Sequence, residues 1–111
     1  MIRRRSKVDA NQKEIVSALR KAGAKVKHVH IVKNLFDILV GYNGVLYNME
    51  IKDSGKFPKK FWLMDDEERE VWILSKLEQG EMECKNDFES VGVKYNIAYD
   101  VVSALKIIGV I

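Results

Sequence analysis

Apolar positions along the chain fall into segments of two different periods, one helical and one strand-like. Ile15, Val16, Leu19 and Ala22 recur at helical spacing, and Glu14 sits on the flank of that stripe. Asp9 stands where an N-cap belongs, Gln12 takes the reciprocal capping-box position and Gly23 supplies a stop, so a first helix is predicted between them. "AKVKHVHIVK" (24–33) is rich in β-branched residues and partly alternating, which predicts a strand. Two apolar runs, "FDILVGY" and "VLYNMEI", then flank Asn43-Gly44, the strongest short-range signal for a two-residue type I′ hairpin. "SGKFPKKFW" follows as a basic loop holding the only proline, Pro58. A second helix is predicted to start near Asp65, with Glu68 as its capping-box partner, and to run through Val71, Trp72, Leu74 and Leu77 until Gly80. The segment 81–93 is polar and poorly patterned. "KYNIAYD" reads as a short last strand and "VVSALKIIG" as a last helix or half-helix. The order α-β-β-β-α-β(-α), with a central hairpin, predicts an α/β (α+β-like) layered domain whose mixed sheet is flanked by helices.

Composition narrows the class. At 111 residues, 47% apolar and 32% charged, the chain has the content of one globular domain, read as residues 9–111 behind a flexible basic arm at 1–8. No apolar run approaches the roughly 18–20 residues that span a bilayer, which argues against a membrane partner. The basic start "MIRRRSK" is not followed by the apolar stretch of a signal peptide. Cys84 is the single cysteine and cannot form an internal disulfide, which suits a reducing, cytoplasmic setting. His28 and His30 are the only histidines, so a zinc site is not expected.

The net charge of +3 is modest, but its distribution is polarised. Cations crowd positions 3–7, 20–33 and 52–60, and acids crowd 65–70 and 78–89. Such a chain can hold a polyanion along one side, or can simply carry solvated lysines. Arg3, Arg4 and Arg5 are either a solubilising tail or a phosphate-gripping arm. Trp62 and Trp72, with Phe57 and Phe61, can stack on bases or pack together.

The hairpin holds the most informative chemistry. With Asn43 and Gly44 as the loop, counting places Tyr42 opposite Val45, Gly41 opposite Leu46 and Asp37 opposite Glu50. Cross-strand Cβ atoms are about 4.5–5.5 Å apart, and like charges there repel. Lys52 lies two residues beyond Glu50, on the same face of its strand. A divalent cation between Asp37 and Glu50 relieves the repulsion, since carboxylate oxygens and water are what Mg²⁺ prefers, and an exposed Ile51 carbonyl can add a further oxygen ligand. Lys52 can then orient a water or stabilise charge developing on a phosphate. The plain alternative is a half-exposed hairpin whose outer face carries these charges.

At these residues the sequence resembles the PD-(D/E)XK nuclease superfamily, most closely the small phage-type VRR-NUC and Holliday-junction-resolvase-like members. "VDANQKEIVSALRKAGAKV", "FDILVG", "MEIKD" and "DDEEREVW" follow in that family's order over roughly residues 7–74. Phe36 stands where many members have proline before the acid. The resemblance implies a restriction-endonuclease-like core and a Mg²⁺- or Mn²⁺-dependent DNA endonuclease selecting junctions, flaps or ends rather than sequence. It implies Asp37, Glu50 and Glu14 as metal ligands and Lys52 as the motif lysine. Lys56, Lys59 and Lys60, with the arginine arm, would hold the DNA backbone. It also implies a phage or prophage origin, placing the protein in the cytoplasm of a bacterial host, and it allows a homodimer cutting paired strands. The rival is a catalytically inactive nuclease-fold module that binds DNA or acts as a scaffold. The geometric expectation is sharp: Asp37 and Glu50 are cross-strand neighbours, with Glu14 approaching from the first helix.

Overall fold

The structure, a computed structural model, describes residues 10–111, so the arginine arm and the Asp9 cap lie outside it. It is an α+β domain with a four-stranded mixed sheet and four α-helices among the described residues. Helix α1 (Ala10–Lys21) leads into strand β1 (Lys25–His28), and β2 (Ile38–Tyr42) and β3 (Val45–Ile51) form the hairpin. Two 3-10 helices, Ser54–Lys56 and Lys59–Leu63, carry the basic segment to α2 (Asp66–Leu74). Helix α3 (Gln79–Ser90), strand β4 (Ile97–Ala98) and helix α4 (Val101–Ile107) complete the chain.

The strands lie in the order β1-β2-β3-β4. The first three are antiparallel and β4 pairs parallel to β3, with Glu50 beside Ile97 and Ile51 beside Ala98. The hairpin register is the one counted from the turn, Tyr42 to Val45 and Gly41 to Leu46. Asn43 (φ 50°) and Gly44 (φ 83°) both occupy the left-handed region that a type I′ turn demands.

Side-chain alternation divides the sheet into two faces. Val26, Ile38, Val40, Met49, Ile51 and Ala98 point to one face, where Ile15, Val16 and Leu19 of α1 and Ala104 of α4 cover them. Leu39 and Ile97 point to the other, packed with Phe36, Tyr95 and, from α3, Cys84 and Phe88. Asn48 is buried on this second face. Its amide donates to the Lys94 carbonyl (2.8 Å) and its oxygen accepts the Asn96 N–H (2.9 Å), which ties the approach to β4 onto β3.

Three elements differ from expectation. The strand predicted over 24–33 ends at His28, because the chain turns through Val29–Val32 and Leu35–Val32 backbone bonds and Asn34 takes φ 61°. The second helix ends at Leu74, not at Gly80. Gly80 lies instead in the first turn of α3, where a Cβ would collide with the Asn34 amide. The "poorly patterned" stretch after it is therefore helical. Its apolar residues, Met82, Cys84 and Phe88, are too few to make a stripe at helical spacing.

The aromatic residues of the basic segment mostly pack on one another. Phe57, Phe61, Trp62, Trp72 and Tyr99 form one cluster, with the Arg69 guanidinium 5.1 Å from the Phe61 ring and 5.3 Å from the Trp62 ring. Phe61 is fully buried, and Trp62 keeps an exposed face. No described helix is long and apolar enough to cross a membrane.

Candidate functional site

The charged residues of the hairpin meet where β2, β3 and β4 converge under α3. Asp37 precedes β2, and its N–H donates to the Met49 carbonyl (3.0 Å). Its carboxylate accepts the Ile51 N–H (2.7 Å), so Asp37 is held across Glu50 from both sides. Glu50 is 6% exposed, and its own N–H donates to the Asn96 carbonyl (2.8 Å). Lys52 is fixed through its backbone: its N–H donates to the Ala98 carbonyl (2.9 Å), and its carbonyl accepts from the Asn11 amide (2.8 Å). Every element of the sheet's end is thus pinned to its neighbour, and α1 is attached to it through Asn11.

Glu81 of α3 completes the cluster. The Lys52 ammonium lies 2.6 Å from a Glu81 carboxylate oxygen but 3.9 Å from Glu50. The same Glu81 oxygen accepts the Glu78 N–H (3.0 Å), which anchors it to the first turn of α3. Burial, the Asp37 charge and a hydrogen bond to Glu81 push the Glu50 carboxyl up to about 10, so at neutral pH it is protonated and donates that bond. Burial works to raise the Glu81 carboxyl as well, but the hydrogen bonds from Glu50 and Lys52 prevail and hold it below the usual range. Tyr95 is 4% exposed, and its hydroxyl has no hydrogen-bond partner among the described residues. Burial first, then Glu81 and, once it ionises at high pH, Glu50 raise the pKa of that hydroxyl. The Cys84 thiol is raised by burial and by Glu50, so it is a packing residue and not a reactive thiolate.

Within this cluster acids outnumber cations. Asp37, Glu50 and Glu81 supply three carboxyls beside the Lys52 ammonium, and the proton on Glu50 offsets part of the difference. Three carboxyls and a buried hydroxyl make this end of the sheet oxygen-rich and acidic.

Of the expected site residues, the structure brings together Asp37, Glu50 and Lys52. Glu14 does not join them: it is exposed on α1, whose buried stripe covers the opposite face of the sheet. The polar α1 side chains that meet the sheet are Asn11 at the Lys52 carbonyl, Gln12, buried 3.3 Å from the His28 ring, and Arg20, which donates to the Val26 carbonyl (3.1 Å). No group of three or more His, Cys, Asp or Glu side chains among the described residues is spaced to hold a metal ion. The Ile51 carbonyl, expected to be exposed, belongs to a residue 2% exposed between β2 and β4. Lys56, Lys59 and Lys60 are exposed on the 3-10 segments that leave the site, and Arg3, Arg4 and Arg5 lie outside the described residues. His28 is largely exposed at the end of β1, where partial desolvation of its ring and the His30 and Arg20 charges hold it below its usual pKa.

A cavity of about 1030 Å³ lies elsewhere, between α2, the end of α3, α4 and the outer part of β3. None of Asp37, Glu50, Lys52 and Glu81 lines it, so cavity size and chemistry point to different places; the chemistry is the stronger guide, because the cavity mixes acids and lysines without a focus. No protein-family model, curated protein or solved structure matches the chain.

Proposed function

We propose that the chain is a Mg²⁺- or Mn²⁺-dependent DNA endonuclease with a restriction-endonuclease-like core, selecting DNA structure rather than sequence. The observation that carries the reading is the acidic cluster of the hairpin: Asp37 set across from a Glu50 that burial and repulsion keep protonated, with a lysine just past the end of the same strand. Asp37 and Glu50 would hold the cation, which supplies a Lewis acid beside the scissile phosphate. The Lys52 ammonium supplies a positive charge where negative charge builds on the phosphate. The exposed Lys56, Lys59 and Lys60 grip the backbone of the strand entering the site. Glu14, standing apart on α1, contributes least of the residues implied by the resemblance. A chain of this size has little surface for reading base edges, which favours recognition of junctions, flaps or ends.

The test incubates the protein with plasmid, single-stranded, flap and four-way-junction DNA in Mg²⁺, Mn²⁺ or EDTA. Metal-dependent cleavage should be abolished in Asp37→Ala and Lys52→Ala. Tight binding without cleavage under either metal would reject the enzyme and favour a non-catalytic DNA-binding or scaffold module.

A further inference from the structure

Resting on that reading, we infer that Glu81 is the positioning residue for Lys52, making α3 a working part of the site rather than a cover for it. A lysine on a strand has a flexible four-carbon stem and no fixed place for its charge. Here the ammonium has one, 2.6 Å from Glu81, with only 19% of the Lys52 side chain and 17% of the Glu81 side chain exposed. Glu50 does not play this part, since it stands 3.9 Å from the ammonium.

Glu81 is itself well anchored. It lies in the first turn of α3, where the helix dipole favours an anion, and its oxygen accepts the Glu78 N–H. The residue before it, Gly80, lets the Asn34 amide pack against the helix where a Cβ would collide, so the β1–β2 loop braces the same turn. The chain of positioning runs from the α3 backbone to Glu81 to Lys52. By engaging the ammonium, Glu81 also keeps it from pairing closely with Glu50, which leaves the Glu50 carboxyl for the cation.

This differs from a ligand role for Glu81, and a double-mutant cycle separates the two. Glu81→Gln keeps the shape of the side chain and an oxygen for the Glu78 N–H, so α3 should stay folded. Lys52→Met keeps the apolar stem without the charge. Cleavage of the preferred DNA and Mn²⁺ affinity by calorimetry are measured in all four proteins, together with the NMR signal of the Lys52 ammonium. If Glu81 acts through Lys52, Glu81→Gln lowers kcat about tenfold or more with KM little changed, and adds nothing in the Lys52→Met background. The Lys52 ammonium signal, slowed in exchange by its short ion pair, should disappear in Glu81→Gln. In the Lys52→Met background Mn²⁺ affinity should be the same with Glu or Gln at position 81. A tenfold loss of Mn²⁺ affinity there makes Glu81 a ligand and overturns the inference, as does an unchanged kcat. A parent protein that neither cleaves nor binds Mn²⁺ removes the nuclease reading, and the inference falls with it.

Discussion

Glu50→Gln should stabilise the metal-free protein at alkaline pH, with a gain that grows with pH. The folded carboxyl sits near 10, whereas the unfolded chain titrates near 4.5. Between those values the folded state holds a proton that the unfolded state has released, so stability is full below about pH 4.5 and declines as pH rises. Each unit costs at most about 1.4 kcal/mol, giving a ceiling of roughly 5 kcal/mol near pH 8. Relaxation and entry of water around a buried acid reduce such penalties, so about 2 kcal/mol is the expected size. Glutamine never ionises, is close in shape, and can donate its amide N–H to Glu81 as the protonated acid does.

The assay is thermal unfolding in EDTA from pH 5 to pH 9, comparing parent and variant. At about 4–8 °C of Tm per kcal/mol for small domains, the variant should melt roughly 8–16 °C higher near pH 8. The two curves should converge towards pH 5. Other titrating groups, His28 among them, are common to both proteins and largely cancel in the difference. Mg²⁺ or Mn²⁺ should raise the Tm of the parent more than that of the variant, because only the parent gains a carboxylate for the ion. A Tm difference that does not change with pH, or a variant no more stable near pH 8, would refute the claim that Glu50 is buried as an acid.

Asn48→Ala removes two buried bonds to the backbone that leads into β4, and should cost about 2–4 kcal/mol in urea unfolding. A loss below about 1 kcal/mol would mean that β4 holds its place without Asn48. Exchanging Lys56, Lys59 and Lys60 for alanine should leave the melting temperature unaltered, because all three are exposed. It should weaken DNA binding and flatten the dependence of log K on log salt by about 0.9 for each phosphate no longer neutralised. An unchanged salt slope would remove the basic segment from the DNA path.

The parts of the fold that local chemistry dictates were legible in the sequence. Asn43 and Gly44 accept positive φ where other residues resist it, and once their turn is set the register of β2 and β3 follows by counting down to Asp37 and Glu50. Asp65 and Glu68 announce α2 because a capping box is built within four residues. Where tertiary packing decides, the pattern was silent or misleading. Gly80 has the composition of a helix stop, yet it lies in the first turn of α3, with the amide of Asn34, distant in sequence, packed where a Cβ would stand. Helix α3 buries a narrow face with few apolar residues, so it carries almost no periodic signal. Its own capping pair, Glu78 and Glu81, was the available clue, hidden by the unusual choice of glutamate at the cap.

The pairing of Glu81 with Lys52 is not legible along the chain, for a reason that follows from strand geometry. Read along the chain, Glu50 is the obvious partner of Lys52, two residues away on the same face. Side chains so related rise nearly parallel from positions about 6.5–7 Å apart, which makes a close ion pair hard to form. The observed separation of 3.9 Å is what bending the two stems together achieves. A carboxylate descending from the layer above the sheet meets the ammonium end-on instead, and Glu81 does so at 2.6 Å across 29 positions of sequence. Spacing within a strand therefore identifies the residues that share a face, while the element covering that face decides which of them pair. The acidic pair and its lysine could be read from the hairpin. The residue that fixes the lysine could not, because its placement depends on a helix whose existence the hydrophobic pattern did not declare.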